Sequence, residues 1–407
     1  MNDGVRRITE RERDYVMEVL DSEFRTSSGG LMTKRLEEKF AEEFRMKYAV
    51  SFINGTATLH AALVAAGLGP GDEVIVPPLT MASTAFAVLQ ANAIPVFADI
   101  DPNTYTIDPK DIERRITSRT RAIIPVAVYG LAPDMDTIMN IARQKDLFVL
   151  EDAAQCFLGY YKGHVVGSIG HASSFSFQSS KHMTSGEGGM VLTNSEQLAD
   201  KVRRFGSLGY AAVSAAPGKG KISKEVIQDP QYERHMSTGW NYRMPELCAA
   251  VALAQLERLE ELVAMRREVA QLFAEAARGC EWLIPQTIPE GYVHTYWTYV
   301  LRLENHGTFS WHDFRKKYME LGGDGIYAAW QLTYLEPVFQ TQEFGPKGCP
   351  VRCPLYKGQI QEYGSELCPV AEDVQPKLLQ FTTNYLDIKV AEQRAESLAK
   401  TINYFEG

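Results

Sequence analysis

The chain has 407 residues, with 42 Lys+Arg against 51 Asp+Glu, a formal net charge of -9, 45% hydrophobic and 23% charged residues. That length predicts two to three domains, or one large domain with a smaller partner, and the composition excludes disordered and collagen-like chains. No apolar run reaches bilayer length, no basic stripe suits nucleic acid, and the N-terminus has no signal-peptide apolar stretch, so a cytoplasmic protein is expected.

Thr9-x-x-Glu12 is a capping box, and Tyr15, Val16, Val19 and Leu20 follow on one face, which predicts an N-terminal helical segment within residues 1–30. Thr26 to Gly30 (TSSGG) breaks the chain, and Thr33 opens a second amphipathic helix through Leu36, Phe40 and Phe44. From Tyr48 to Gly206 strands and helices alternate. Apolar runs at 48–53, 73–76, 95–100, 122–128 and 147–150 are separated by helical stretches at 56–66, 83–91, 109–116 and 135–145. Two more strands follow at 173–177 and 190–193. This alternation predicts a mostly parallel mixed sheet covered by helices on both faces, with the ligand outside the carboxyl ends of its strands. The Gly/Ala/Ser/Pro-rich stretch 206–231 reads as a long mobile loop. The boundaries that result are a large α/β domain over 31–245, a long connecting helix over 246–280, and a smaller α+β domain over 281–407. Cys156, Cys248 and Cys280 sit among apolar neighbours, and Cys349, Cys353 and Cys368 have no histidine nearby, so no metal site is expected.

Four motifs fall where such a sheet places its ligand. Asn54-Gly55-Thr56-Ala57-Thr58 joins a strand to a helix, and free N–H groups at a helix start can cradle a phosphate. From this motif alone, Thr56 as a plain N-cap is the better reading. The strand Leu147–Leu150 ends in Glu151 and Asp152, followed by Ala153-Ala154-Gln155; a carboxylate there needs a partner. Lys181 closes the run Ser173–Ser180, and Gly186-Glu187-Gly188-Gly189 follows. A lysine between serines and a Gly-rich turn is a candidate Schiff-base lysine.

Together EDAAQ at 151–155, SFSFQSSK at 174–181 with GEGG at 186–189, NGTATL at 54–59 and GWNYRM at 239–244 resemble the pyridoxal-phosphate sugar aminotransferases of the DegT/DnrJ/StrS type. The resemblance implies the aspartate-aminotransferase fold (fold type I) and pyridoxal 5'-phosphate as cofactor. It implies that Lys181 bonds the cofactor and later moves a proton, and that Asp152 holds the pyridine nitrogen. Gln155 lies by the phenolic oxygen. Gly55 shapes the turn in which Thr56, the Ala57 N–H and Ser176 hold the phosphate. Asn241 reaches a partner's phosphate in a homodimer with shared sites. Met81 stands where relatives place an aromatic residue over the ring. The implied reaction moves an amino group from glutamate or glutamine to a keto group of a nucleotide-linked sugar or a cyclitol.

The C-terminal half departs from the family pattern at Gly325–Gln331 and in an extra segment, Gly348–Pro354. A pyridoxamine-dependent sugar dehydratase shares the fold but replaces the lysine by histidine; here His182 follows Lys181. A catalytically silent relative acting as sensor or scaffold is the alternative from another class.

Overall fold

Short apolar runs buried on both sides make poor amphipathic helices and good central strands, and the longest sheet is built from such runs. The computed structural model describes residues 6–24, 31–214, 223–304, 309–353, 356, 358 and 361–407. In chain order its strands are β1 (Tyr48–Phe52), β2 (Glu73–Val76), β3 (Ile94–Phe97), β4 (Thr120–Ile123), β5 (Phe148–Asp152), β6 (Tyr160–Tyr161), β7 (His164–Val165), β8 (Ala172–Ser176) and β9 (Gly189–Thr193). They continue with β10 (Leu283–Pro285), β11 (Tyr292–Val293), β12 (Thr298–Leu303), β13 (Tyr327–Ala328) and β14 (Leu378–Thr382).

Among the described residues, one sheet has the order β1-β9-β8-β5-β4-β2-β3. Its pairs are parallel except those of β9, which runs against both β1 and β8. The carboxyl ends of β1, β5 and β8 therefore share one edge. Alternate side chains enter two cores: Ile75, Val96, Ile123, Val149 and Phe175 on one face, Val74, Val76, Phe97, Ala122 and Leu150 on the other. The mostly parallel mixed sheet expected from the alternation is present.

A second sheet, β10-β12-β14-β13, is antiparallel throughout. The helices Trp311–Glu320 and Ile388–Glu406 cover it, with Phe314, Tyr318, Leu398 and Ile402 in the shared core. A small sheet, β11-β6-β7, ties residues 292–293 back to the chain after β5. No helix among the described residues is long and apolar enough to cross a membrane.

Three expectations are corrected. The single connecting helix over 246–280 is two helices, Glu246–Leu256 and Leu259–Ala276. The break falls at Arg258, whose backbone leaves the helical region at φ -129° and ψ 22°. The first helix puts Ala249, Leu253 and Leu256 into the large core, and the second begins in that core with Leu259, Leu262 and Val263 and reaches the small one with Val269 and Phe273. Second, residues 281–407 are not one body. Leu332, Tyr334, Phe339, Tyr363 and Val374 belong to the core of the large sheet. Phe339 and Tyr363 meet Phe97 on edge strand β3 at 5.6 and 5.7 Å, and Tyr363 Oη donates to Pro95 O at 2.9 Å. This stretch covers a sheet edge that would otherwise stand open. Third, the 206–231 loop contains a short helix, Lys224–Gln228. Residues 215–222 of that loop and the Thr26–Gly30 break lie outside the described residues.

The capping box at the first helix, Glu10–Asp21, is present: the Glu12 carboxylate accepts from the Thr9 N–H at 2.8 Å.

Candidate active site

The site is assembled at the shared carboxyl edge of β1, β5 and β8. Just past β1, Asn54 caps the helix Gly55–Ala65 by accepting the Ala57 N–H at 2.8 Å. Thr58 N–H reaches Asn54 O at 3.3 Å. Ala57, expected on a phosphate, thus gives its N–H to the cap in this structure, and the N–H groups of Gly55 and Thr56 remain for an anion. A Cβ on Gly55 would lie 2.7 Å from Ser176 Cβ, so only glycine lets the helix start approach the end of β8 this closely. Gly189 plays the matching part on β9, where a Cβ would meet the Asn54 carbonyl at 2.8 Å.

Asp152 ends β5 and is buried. Thr84, in the helix Ser83–Gln90, donates to its Oδ2 at 2.8 Å, and the Ala154 N–H donates to Oδ1 at 3.2 Å. Burial pushes the Asp152 carboxyl up; the Thr84 hydroxyl, the Ala154 N–H and the Lys181 charge pull it back. Gln155 accepts the Tyr129 N–H through Oε1 at 2.8 Å, which leaves its NH2 group to donate. Its neighbour Glu151 turns away, accepting N–H groups of Gly167, Ile169 and Gly170 at 2.8, 2.7 and 2.6 Å. Of the two adjacent acids, Glu151 is committed to the fold and Asp152 faces the site.

Lys181 stands on the turn after β8. Gln178 holds that turn by accepting from the Ser180 N–H and hydroxyl at 2.8 and 2.7 Å. The Lys181 side chain is only 9% exposed, and its Nζ lies 4.4 Å from the centre of the Trp297 ring. Burial is the main cause that lowers its amine to about 8; Asp152 opposes that shift and Arg266 adds to it. His182 points into the core, with Nε2 2.9 Å from Thr295 O and its ring 5.6 Å from Phe157. Burial keeps it neutral far into the acid range.

The remaining sequence candidates lie around this edge. Met81 follows β2 and is 50% exposed. Ser176 ends β8 and is buried. Asn241 is exposed and bridges to Ser207, beside the Tyr242 carbonyl that accepts the Ile53 N–H at 2.8 Å. Thr84, Trp297 and Arg266 were not legible as site residues. Each looks ordinary in its own segment and arrives from a distant part of the chain. His294 is buried, with Nε2 2.9 Å from Gln286 Oε1.

A buried amine with a lowered pKa, a carboxylate at the next strand end and a helix N-terminus opposite suit the aldehyde, ring nitrogen and phosphate of pyridoxal phosphate. The fold and this donor set define a pyridoxal-phosphate transferase of fold type I. The X-ray structure of the aminotransferase from Psychrobacter cryohalolentis matches with a TM-score of 0.83 at 30% identity, over 98% of each chain. The DegT/DnrJ/EryC1/StrS aminotransferase family model matches residues 6–360, and the chain belongs to that family. A GDP-perosamine synthase of Escherichia coli O157:H7 is 39% identical over 290 residues, 71% of this chain and 74% of that protein. An L-glutamine:2-deoxy-scyllo-inosose aminotransferase of Streptomyces lividus is 37% identical over 271 residues, 66% of this chain and 62% of that protein. The protein is an aminotransferase.

Proposed function

We propose that this aminotransferase takes an amino group from glutamate or glutamine and gives it to a keto group of a nucleotide-linked sugar or a cyclitol, in amino-sugar biosynthesis. The observation that carries the chemistry is the buried Lys181 amine, lowered to about 8 beside Asp152. At that value an appreciable fraction is neutral near pH 7 and can both bond a carbonyl carbon and take a proton. The acceptor class rests on the relatives, whose names cover a GDP-sugar and a cyclitol.

When bound, pyridoxal phosphate supplies an electron sink that lets a proton leave the amine-bearing carbon. The chain does the rest. Lys181 would hold the cofactor by condensing with its carbonyl carbon, with loss of water, and, once displaced by the donor's amine, its free amine would move the proton. Asp152, oriented by Thr84, holds the proton on the ring nitrogen. The Gly55 and Thr56 N–H groups with Ser176 take the phosphate, and the Gln155 NH2 donates to the phenolic oxygen. Met81 packs against the ring. Asn241 serves the partner's phosphate in a homodimer with shared sites; its exposure in the single chain supports this role.

The test is a split reaction. The loaded protein is mixed with L-glutamate or L-glutamine alone, freed of donor, and then given a GDP-linked keto sugar or a keto cyclitol. One donor is expected to discharge the cofactor's visible absorbance and one acceptor class to restore it. Restoration by neither class would overturn the acceptor assignment, and discharge by neither donor would overturn the donor assignment.

A further inference from the structure

A reactive lysine on a loop needs something to fix it, because loops are the mobile part of a fold. Here the fixing groups are cations. Arg266, in the helix Leu259–Ala276, is 1% exposed. Its Nη2 donates to Ser180 O at 2.7 Å and to Lys181 O at 2.9 Å. Its Nη1 donates to Trp297 O at 2.8 Å and Thr383 Oγ1 at 3.3 Å. A second guanidinium comes from the N-terminal segment. Arg7 Nη2 donates to Ser179 O at 2.8 Å and to the same Lys181 O at 3.0 Å, while Nη1 donates to Asn384 Oδ1 at 3.1 Å.

None of these acceptors is a carboxylate. Burying a cation without an anion is costly, and placing two on one carbonyl adds repulsion. Burial and then Arg7 lower Arg266 to about 9. A loop that needed only anchoring would be served by neutral donors at less cost. The uncompensated charge therefore calls for a role that neutral donors lack.

We infer that Arg266, with Arg7 behind it, is a positioning residue for the transamination: it ties the Lys181 turn to Trp297 and Thr383 of the small-domain sheet region, and its buried charge disfavours a second cation on the Lys181 amine. The inference rests on Lys181 being the cofactor-bonding residue. Other charged groups around the amine are accounted for. Asp152 on β5 favours the ammonium, as does the Trp297 face. His182, next in the chain, is held neutral. Behind Arg7, Arg258 stands 3.7 Å from Glu12 and is partly balanced by it.

The experiment is a pH titration of full-length protein carrying pyridoxal phosphate, read by the visible absorbance of the lysine-bound cofactor. A parallel readout is the pH dependence of Lys181 acylation by acetic anhydride in the cofactor-free full chain, followed by mass spectrometry. Arg266→Gln is expected to raise both midpoints by on the order of one pH unit, the effect of one charge at an effective dielectric of about 20. Arg266→Lys keeps the charge and is expected to stay within about 0.3 unit of the parent. Arg7→Gln, at a half-buried position, is expected to shift them up by a few tenths, and it decides the matter if Arg266→Gln does not fold. Unshifted midpoints in the neutral variants, or an equal shift in Arg266→Lys, would overturn the inference. A parent protein that shows no lysine-bound absorbance would overturn instead the assignment of Lys181.

Discussion

Gly55→Ala sets two effects of known size against each other. Gly55 opens a helix, and alanine is preferred over glycine in helices by up to about 1 kcal/mol. Propensity alone therefore predicts a more stable protein. The added Cβ, however, would sit 2.7 Å from Ser176 Cβ, 3.2 Å from its Oγ and 3.3 Å from its Cα. Ser176 cannot retreat freely, because it is paired with Gly189 in the sheet register. Overpacking of this kind costs about 1–3 kcal/mol, so at its middle value of about 2 kcal/mol the clash wins by roughly 1 kcal/mol. The assay is urea unfolding of the full chain, with cofactor affinity measured beside it. Gly55→Ala is expected to lower the midpoint without changing the slope. It is also expected to weaken cofactor binding on the order of tenfold, since it displaces one of the phosphate donors. The double variant Gly55→Ala/Ser176→Gly removes the two closest atoms and should recover much of the Gly55→Ala clash penalty, a coupling a double-mutant cycle reads directly. A Gly55→Ala protein as stable as the parent would refute the close approach on which the phosphate cradle depends.

Further outcomes follow from single contacts. Thr84→Val removes a hydroxyl that favours the Asp152 anion, so the carboxyl rises. The pH at which acidification releases the cofactor should then move up, and an unmoved release point would separate Asp152 from the ring nitrogen. Asn241→Ala should weaken cofactor retention with the assembly intact; undiminished retention would count against a site shared between subunits. Glu37→Gln leaves the mostly buried Arg203 without its anion, which now accepts from Arg203 Nη1 at 2.8 Å and the Ser51 N–H at 2.9 Å. The loss is expected to be about 3 kcal/mol in urea unfolding, and a change under 1 kcal/mol would mark the pair as incidental.

The large sheet could be read from its residues because parallel strands are buried on both faces and show as unbroken apolar runs. Glu73–Val76 matches strand β2 end for end. The site motifs were legible for a related reason. Asp152 ends a strand, and Asn54 and Lys181 lie a few residues past the carboxyl ends of theirs, so topology brings all three to one edge. The helix break at Arg258 was hidden, since Glu257 to Glu261 are all good helix formers and no residue there marks a turn. Phe339 and Tyr363 likewise carry no mark of which sheet they cover. Arg266 was invisible in a helix rich in Arg and Glu, where a buried cation looks like its solvated neighbours until the Lys181 carbonyl is found beside it.

The central claim is that Lys181 is the residue that bonds the cofactor. The most direct measurement is borohydride reduction of the full-length protein loaded with pyridoxal phosphate, followed by peptide mapping in a mass spectrometer. The account predicts one reduced adduct, on the peptide containing Lys181, and none in Lys181→Ala. An adduct on another lysine, or none in the parent protein, would contradict it.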